Sequence, residues 1–243
     1  MKIMRMKHFQ KLESTNLTAK EMIKNEEAKH GDVIVASMQT GGRGTNGRSF
    51  FSPKGGLYMS IVLDNKRENS SGLMALAAIS VCKGIEKFTN KKPMIKWVND
   101  ILIRCADIAP INVVNMDRHL SPSFKKAGGI LVEMAGDKFI VGIGINFFEG
   151  EYGSELKDIA CGIGQQVDKD EFLKCIASSI INNSLGDKEI FCDYKNRLLG
   201  IGQEVYVDGV KGFMQGINDE GALLLNVGDE VKTIYAGTLR VCT

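Results

Sequence analysis

QTGGRGTNGRSFFSP, residues Gln39 to Pro53, leads through Lys54-Gly55 into the apolar stretch GLYMSIVL, Gly56 to Leu63. Turn-forming residues (Gly41, Gly42, Gly44, Asn46, Gly47) surround two arginines, Arg43 and Arg48, just ahead of a strand-like run. Glycine lets the backbone adopt positive φ and come close to a ligand, and each guanidinium offers a planar fork of donors that matches phosphate or carboxylate. The stretch suits an anion. Composition alone serves a glycine- and arginine-rich surface loop equally well, and the spacing names no ligand.

Working outward, the 243 residues predict one sizeable domain and a small one. Hydrophobic residues at 44% and charged residues at 25% are ordinary globular usage, which excludes disordered and fibrous classes. A net charge of +2 gives no case for nucleic acid, since duplex binders concentrate basic charge. The cysteines (Cys82, Cys105, Cys161, Cys175, Cys192, Cys242) are scattered, form no C-x-x-C pair and do not cluster with His8, His30 or His119. Cys/His metal ligation is therefore not expected, and reduced thiols in cytoplasm are the simpler reading. MKIMRMKHFQK lacks a signal peptide's apolar core, and the longest apolar-rich run, Leu73 to Val81, is too short to span a bilayer. The expectation is a soluble cytoplasmic protein without a membrane partner.

Ahead of the loop, Ser14-Thr15-Asn16 precedes a helical stripe of Leu17, Ala19, Met22 and Ile23, with Ser14 read as N-cap and Gly31 as the stop. Val33 to Ala36 reads as a buried strand delivering Gln39 to the loop. After the loop, Leu57 to Leu63 continues as a strand. Leu73 to Phe88, apolar on nearly every face, predicts a central helix packed on a sheet. MIKWVND, Met94 to Asp100, holds the only tryptophan; on local grounds it is a core Trp followed by an Asn-Asp turn. Gly129 to Met134 and Phe139 to Phe148 read as strands joined by the turn 135–138. Gly142 and Gly144 would leave space for a flat ligand, and Asn146 would end the second strand. Gly150 to Gly164 is loop-rich, Asp170 to Leu185 resumes helical spacing, and Tyr194 to Gly200 closes the main domain. Beyond it, Glu204 to Val207, Lys211 to Ile217, Ala222 to Asn226, Val231 to Tyr235 and Thr238 to Val241 are short β segments with turn signals. Four or five strands in about 45 residues predict a small closed or sandwich-like barrel.

Three segments in this order resemble biotin protein ligases: the Gly-Arg-Gly loop with its Phe50-Phe51-Ser52-Pro53 and Gly56-Leu57-Tyr58 sequel; Lys96-Trp97-Val98-Asn99-Asp100; and Gly129-Ile130-Leu131-Val132-Glu133 with the later Gly142 to Asn146. The resemblance runs from about Phe9 to the C-terminus. It implies an α+β fold, in which a mixed β-sheet backed by helices forms a catalytic domain like those of biotin ligases and class II aminoacyl-tRNA synthetases, over residues 1–197. An SH3-like β-barrel would follow over residues 198–243. The implied activity is formation of biotinyl-5'-adenylate from biotin and ATP, then transfer of biotin to a lysine of a biotin carboxyl carrier domain. Lipoate or octanoate ligation and non-catalytic biotin sensing stand as alternatives. DNA-based regulation is not expected, because the chain starts almost at the ligase segment, and the oligomer is left as monomer or homodimer.

Residue by residue, the resemblance implies catalytic roles for Arg43, Arg48, Lys96, Asp100 and Lys126. It implies biotin contacts from Ser14, Thr15, Asn16, Gln39, Gly42, Arg43, Gly44, Thr45, Lys126 and Gly129, and adenylate contacts from Arg43, Arg48, Phe50, Lys96, Asn99 and Asn146. No protein metal site is implied, since Mg2+ would arrive with ATP. Lys126 keeps the offset to the glycine pair of the family's active-site lysine; Lys125 competes one position away. Departures are Val98 for a common proline, expected to take the same extended backbone, Phe50 for a common tryptophan, and Thr45 for the usual arginine, which implies weaker retention of the adenylate. The long connection Ile101 to Lys125 interrupts the likeness, and it reads as a lid, a partner surface or a bulge.

Overall fold

The computed structural model describes residues 4–65, 70–104, 124–147, 156, 159–164 and 166–242. Seven strands form one mixed sheet in the order β1-β2-β3-β7-β6-β5-β4. β1 (Arg5–Phe9) runs parallel to β2 (Asp32–Ala36), and β3 (Leu57–Asp64), β4 (Met94–Lys96), β5 (Asp100–Arg104), β6 (Phe124–Ala135) and β7 (Lys138–Ile145) pair antiparallel. β1 escapes the sequence pattern because RMKHF puts charge at alternate positions, as an edge strand can afford.

Side-chain alternation along β3 divides the molecule into layers. Leu57, Met59, Ile61 and Leu63 enter the larger core, beneath α2 (Ser70–Phe88), α3 (Lys169–Ile181) and α4 (Asp187–Asn196). Val62 faces the other way, meeting Ala19 and Met22 of α1 (Thr15–Lys24) together with Ile34 and Ile140. α2 is buried almost all round because it lies between the sheet and the two later helices, as its uninterrupted apolar pattern predicts.

Several boundaries differ from the sequence reading. α1 stops at Lys24, with Asn25 as C-cap and Glu26 in the left-handed region (φ 59°); Gly31 (φ 89°) instead turns the chain into β2, donating its N–H to the Val62 carbonyl at 2.8 Å. Ser14 occupies the N-cap position, but its side chain makes no capping bond. Asp168 does cap α3, accepting from the N–H groups of Asp170 and Glu171 at 3.0 Å, and that helix ends at Ile181 rather than Leu185. α4 falls between the helical stretch read to Leu185 and the segment from Tyr194 read as closing the main domain, and was not expected; Glu189 caps it by accepting the Gly186 N–H at 3.0 Å. The Trp97–Val98 peptide bond is cis. The ends of the supposed interruption, Ile101–Arg104 and Phe124–Lys125, are paired arms of the β5–β6 hairpin, with Arg104 opposite Phe124. Residues 105–123 lie outside the described residues, as does most of 150–164, and with them the question of what the connection does.

The second sheet is antiparallel, in the order β11-β10-β9-β8-β12, from β8 (Glu204–Val207), β9 (Val210–Ile217), β10 (Leu223–Val227), β11 (Glu230–Ile234) and β12 (Leu239–Val241). Among the described residues its pairings leave β11 and β12 as edges, so the expected barrel is a five-stranded sheet by hydrogen bonding. Its apolar face is continuous with the larger core through Val205, Met214, Leu223 and Val241. Trp97, 2% exposed, donates its indole N–H to the Gly221 carbonyl of the second sheet's β9–β10 turn at 3.2 Å. Among the described residues no helix is long and apolar enough to cross a membrane.

The Trp97 contact should matter for both sheets at once. Trp97→Phe leaves the Gly221 carbonyl without its donor and opens space in a filled core, so stability should fall by about 2 kcal/mol. A urea titration reads this directly; an unchanged midpoint would show that the two sheets do not lean on the indole.

Candidate active site

The site lies on the sheet face covered by α1, beyond that helix's N-terminus. Strand register builds its floor: Tyr58 pairs with Gly144, Gly144 with Gly129, and Gly129 with Asp100. A row that starts aromatic thus runs across two bare glycines to a carboxylate. The cleft above is lined by Ser14, Thr15, Asn16 and Gln39 at one end, and by Arg43, Thr45, Arg48, Phe50, Asn99 and Lys126 at the other.

The first end is polar, buried and paired. Gln39 Oε1 accepts the Thr15 N–H at 2.8 Å and lies 3.1 Å from its hydroxyl, while Gln39 Nε2 donates to Ser52 Oγ at 2.9 Å. Ser60 Oγ lies 2.5 Å from Asn16 Oδ1 and 2.8 Å from Thr15 Oγ1. Asn16 Nδ2 donates to Glu133 at 2.7 Å, and Lys20 meets the same carboxylate at 2.6 Å. Burial works against ionisation of Glu133, but the hydrogen bonds from Lys20 and Asn16, with the charges of Lys20 and Arg43, outweigh it and hold the carboxyl below its ordinary value.

The glycine- and arginine-rich stretch is no open loop. It folds back on itself, with the Phe50 N–H on the Gly42 carbonyl at 2.8 Å and the Gly44 N–H on the Arg48 carbonyl at 2.7 Å. Positive φ falls only on Asn46 and Gly47, at the tip of this turn. Gly42 serves close approach instead, since a Cβ there would overlap the Phe50 carbonyl and lie 2.5 Å from Ser52 Oγ. Arg48 donates to the Thr45 carbonyl at 3.2 Å and to its hydroxyl at 3.0 Å.

Cationic groups close the far end. Between Ile101 and Leu102 the β5–β6 register slips, so Ile101 pairs with Gly128 but Leu102 with Lys126. The extra residue, Ala127, is fully buried in the larger core, and Lys126 is turned onto the site face. Its ammonium stands 2.5 Å from Asp100 Oδ1 and 5.7 Å from the Phe50 ring centroid. Lys96, nearly buried, takes the other Asp100 oxygen at 3.2 Å. Burial disfavours the Asp100 anion, but Lys126 and Lys96 overcome this and hold its carboxyl below the ordinary value.

The expected residues are thus brought to one place in two shells. Ser14, Thr15, Asn16, Gln39, Arg43, Gly44, Thr45, Arg48, Phe50, Asn99, Lys126 and Gly129 line the cleft. Gly42, Lys96, Asp100 and Asn146 stand behind it; Asn146 donates to the Lys126 carbonyl at 3.5 Å, and Asn99 to that of Ile130 at 2.8 Å. Gly142 and Gly144 line the cleft, and the room over them is shared with the chain's own side chains. A Cβ on Gly142 would overlap Asn16 Oδ1, and one on Gly144 would lie 2.6 Å from Phe50 Cε1, so the chain's own side chains use that room. Sequence reasoning missed Ser60, Ser52, Lys20 and Glu133. Glu133 belongs to a quoted motif, and its place two residues from Leu131 on the site face was the available signal. Among the described residues no three His, Cys, Asp or Glu side chains gather to hold a metal.

A family model described as the biotin/lipoate A/B protein ligase family matches residues 8–147. The chain is 32% identical over 253 residues to the bifunctional ligase/repressor BirA of Bacillus subtilis, spanning 95% of this chain and 72% of that one. It is 25% identical over 225 residues to the biotin–[acetyl-CoA-carboxylase] ligase of Mycobacterium tuberculosis, spanning 85% and 77%. Among solved structures, the biotin protein ligase of Aquifex aeolicus in complex with biotin and ATP superposes with a TM-score of 0.81 at 28% identity over 99% of both chains. The Leishmania major biotin protein ligase with biotinyl-5-AMP shares the fold, with a TM-score of 0.64 at 20% identity over 98% of both chains.

Asp100→Asn isolates the charge pairing at the back of the cleft. It leaves two lysines facing one another without an anion, and should cost about 3 kcal/mol at neutral pH. Because folding lowers the Asp100 pKa, the wild-type stabilisation is full above the unfolded value of about 3.9 and fades as pH falls through the folded value. Denaturation midpoints followed from pH 7 downward should therefore fall more steeply below about pH 4 in the wild type than in the variant. Parallel acid profiles would remove Asp100 from the account.

Proposed function

Since the chain belongs to the biotin/lipoate A/B protein ligase family, we propose that it is a biotin–protein ligase, activating biotin with ATP and transferring it to a lysine of a biotin carboxyl carrier domain. The observation that carries this reading is one cleft with a hydrogen-bonding wall of Thr15, Asn16 and Gln39 at one end and the Lys126–Asp100 pair with Arg43 and Arg48 at the other. Such a cleft matches a neutral, polar ring joined to a reacting carboxylate and phosphate.

In the first step a biotin carboxylate oxygen bonds to the α-phosphorus of MgATP and the bond to the β-phosphate breaks, expelling pyrophosphate. In the second, the acceptor amine attacks the acyl carbon, the C–O bond to AMP breaks, and the amine loses a proton. Both steps concentrate negative charge, so the protein's task is positioning and preorganised positive charge. Lys126 is assigned the reacting carboxylate and α-phosphate, with Asp100 fixing its ammonium and Lys96 balancing Asp100 from behind. Arg43 and Arg48 are assigned the phosphates, Phe50 the adenine face, and Asn99 and Asn146 the nucleotide side of the cleft. Thr15, Asn16 and Gln39 are assigned the ureido ring, beside Ser14, Gly42, Gly44, Thr45 and Gly129. Magnesium would travel on the ATP phosphates, because both Asp100 oxygens are engaged by lysines. We assign residues 1–197 to catalysis and 198–243 to an SH3-like unit, and we place the reaction in the cytoplasm.

Incubation with ATP, magnesium, a carrier domain and either biotin or lipoate tests the reading by the mass gained on the carrier. Biotin should be joined to one lysine in preference to lipoate; transfer of lipoate alone would sink the biotin assignment, and biotin binding without transfer would leave a sensor.

Lys126→Ala should slow biotin-dependent pyrophosphate exchange on the order of tenfold to a hundredfold, the worth of one charged hydrogen bond, roughly 1.5–3 kcal/mol. Lys125→Ala should change it little, because the β-bulge turns only Lys126 onto the site face. Equal losses would show that the bulge does not select between the two lysines.

A further inference from the structure

Asn16 is the amide of the buried wall that is held at one end by a carboxylate and at the other by a hydroxyl. It is 4% exposed, rests against the bare Gly142 and lines the cleft. Its Nδ2 faces Glu133 and its Oδ1 faces Ser60. A hydroxyl accepts or donates as required, so Ser60 is indifferent to which end it meets; an ionised carboxylate only accepts. Lys20, 2.6 Å from Glu133 on the side away from Asn16, keeps that carboxylate charged and in place. Among the described residues the orientation of the amide therefore has a single determinant. With Nδ2 committed to Glu133, Oδ1 takes the Ser60 proton on one lone pair and retains a second, and Thr15 then turns its own hydroxyl proton to Ser60 while its backbone N–H holds Gln39.

We infer that Glu133 is a positioning residue for substrate recognition: it fixes the amide of Asn16 so that the wall presents an oxygen acceptor to the N–H groups of a ligand's cyclic urea. Glu133 itself does not line the cleft, and in this role it acts through Asn16. The inference rests on the biotin reading of the same site. It explains why an ionised carboxylate, held by Lys20, stands behind the neutral wall of Thr15, Asn16, Gln39 and Ser60. A neutral residue there would leave the amide free to turn and offer a donor in place of the acceptor, and only the acceptor-facing fraction would bind.

Two variants separate this role from a merely structural ion pair. Glu133→Gln keeps the shape but permits both orientations; a binding-competent fraction near one half raises the biotin KM in pyrophosphate exchange by about two- to threefold. The charge swap Lys20→Glu with Glu133→Lys restores an ion pair but gives Asn16 a donor to face, so the competent fraction falls to about one tenth or less and KM rises tenfold or more. In both, kcat at saturating biotin should fall less than about threefold, and desthiobiotin, which keeps the cyclic urea, should lose affinity by the same factor as biotin. The swap should retain a melting temperature close to wild type. A swap that recovers the wild-type KM along with its stability, or an unchanged KM in Glu133→Gln, overturns the inference while leaving the biotin reading intact. A wild-type chain that exchanges pyrophosphate with lipoate and not with biotin overturns both.

Discussion

One extra residue in β6 lets a single strand serve two layers. Strict alternation counted back from Gly129 would put Ala127 and Lys125 on the site face and Lys126 in the core. An ammonium buried there without an anion is far costlier than an alanine exposed in a cleft. The bulge reverses this assignment: Ala127 fills the core, while Lys126 reaches Asp100, which its own register holds opposite Gly129. Asp100 in turn permits Lys96 to be nearly buried, since the carboxylate supplies a partner on each oxygen. The charge-bearing end of the cleft is thus a consequence of strand pairing before it is a consequence of any ligand.

The opposite end follows from a change of side-chain size along the same face. Where α1 covers the sheet with its middle turns, the facing residues are Ile34, Val62 and Ile140, and the contact is apolar. One step toward the N-terminus of α1 they become Ser60 and Gly142, and a step further Gly144. Polar side chains can then descend onto the sheet, because the glycines yield the volume that a Cβ would take. Asn16 and Phe50 both use this space. The wall and the floor of the site are therefore the chain's own residues packed on bare backbone, joined in one hydrogen-bonded series from Lys20 through Glu133, Asn16 and Ser60 to Thr15 and Gln39.

Much of this was legible in the sequence. The glycine loop, the MIKWVND segment and the glycine-spaced strand pair were recognisable, and the buried central helix declared itself by lacking a polar face. What escaped was non-local. β1 carries alternating charge and gains strand geometry only by pairing with β2, and α4 is short enough that Ile190, Phe191 and Tyr194 did not stand out as a stripe. Ser60 reads as an unremarkable strand residue, because its partners Thr15 and Asn16 lie on a different element. Glu133 was visible as part of a motif but silent as to role, since its partner Asn16 lies 117 positions away. Lys125 and Lys126 could be ranked only by resemblance, because a bulge is not written in side-chain periodicity.

Thr45 shows how a local departure can be absorbed by local geometry. At the tip of the folded-back loop the Arg48 guanidinium donates to both the carbonyl and the hydroxyl of residue 45. The carbonyl would survive any substitution, but the second acceptor belongs to threonine. An arginine at this position, the residue that the family resemblance leads one to expect, would remove that acceptor and set a like charge beside Arg48, which disfavours the self-bonded tip and favours turning both guanidinium groups toward an external anion. Threonine reverses the preference. The tip is a turn in which one of the loop's two arginines is bonded to the loop itself, so an anion drawn to Arg48 would compete with Thr45 for it. The substitution thus acts through the arginine that remains as well as through the charge that is missing.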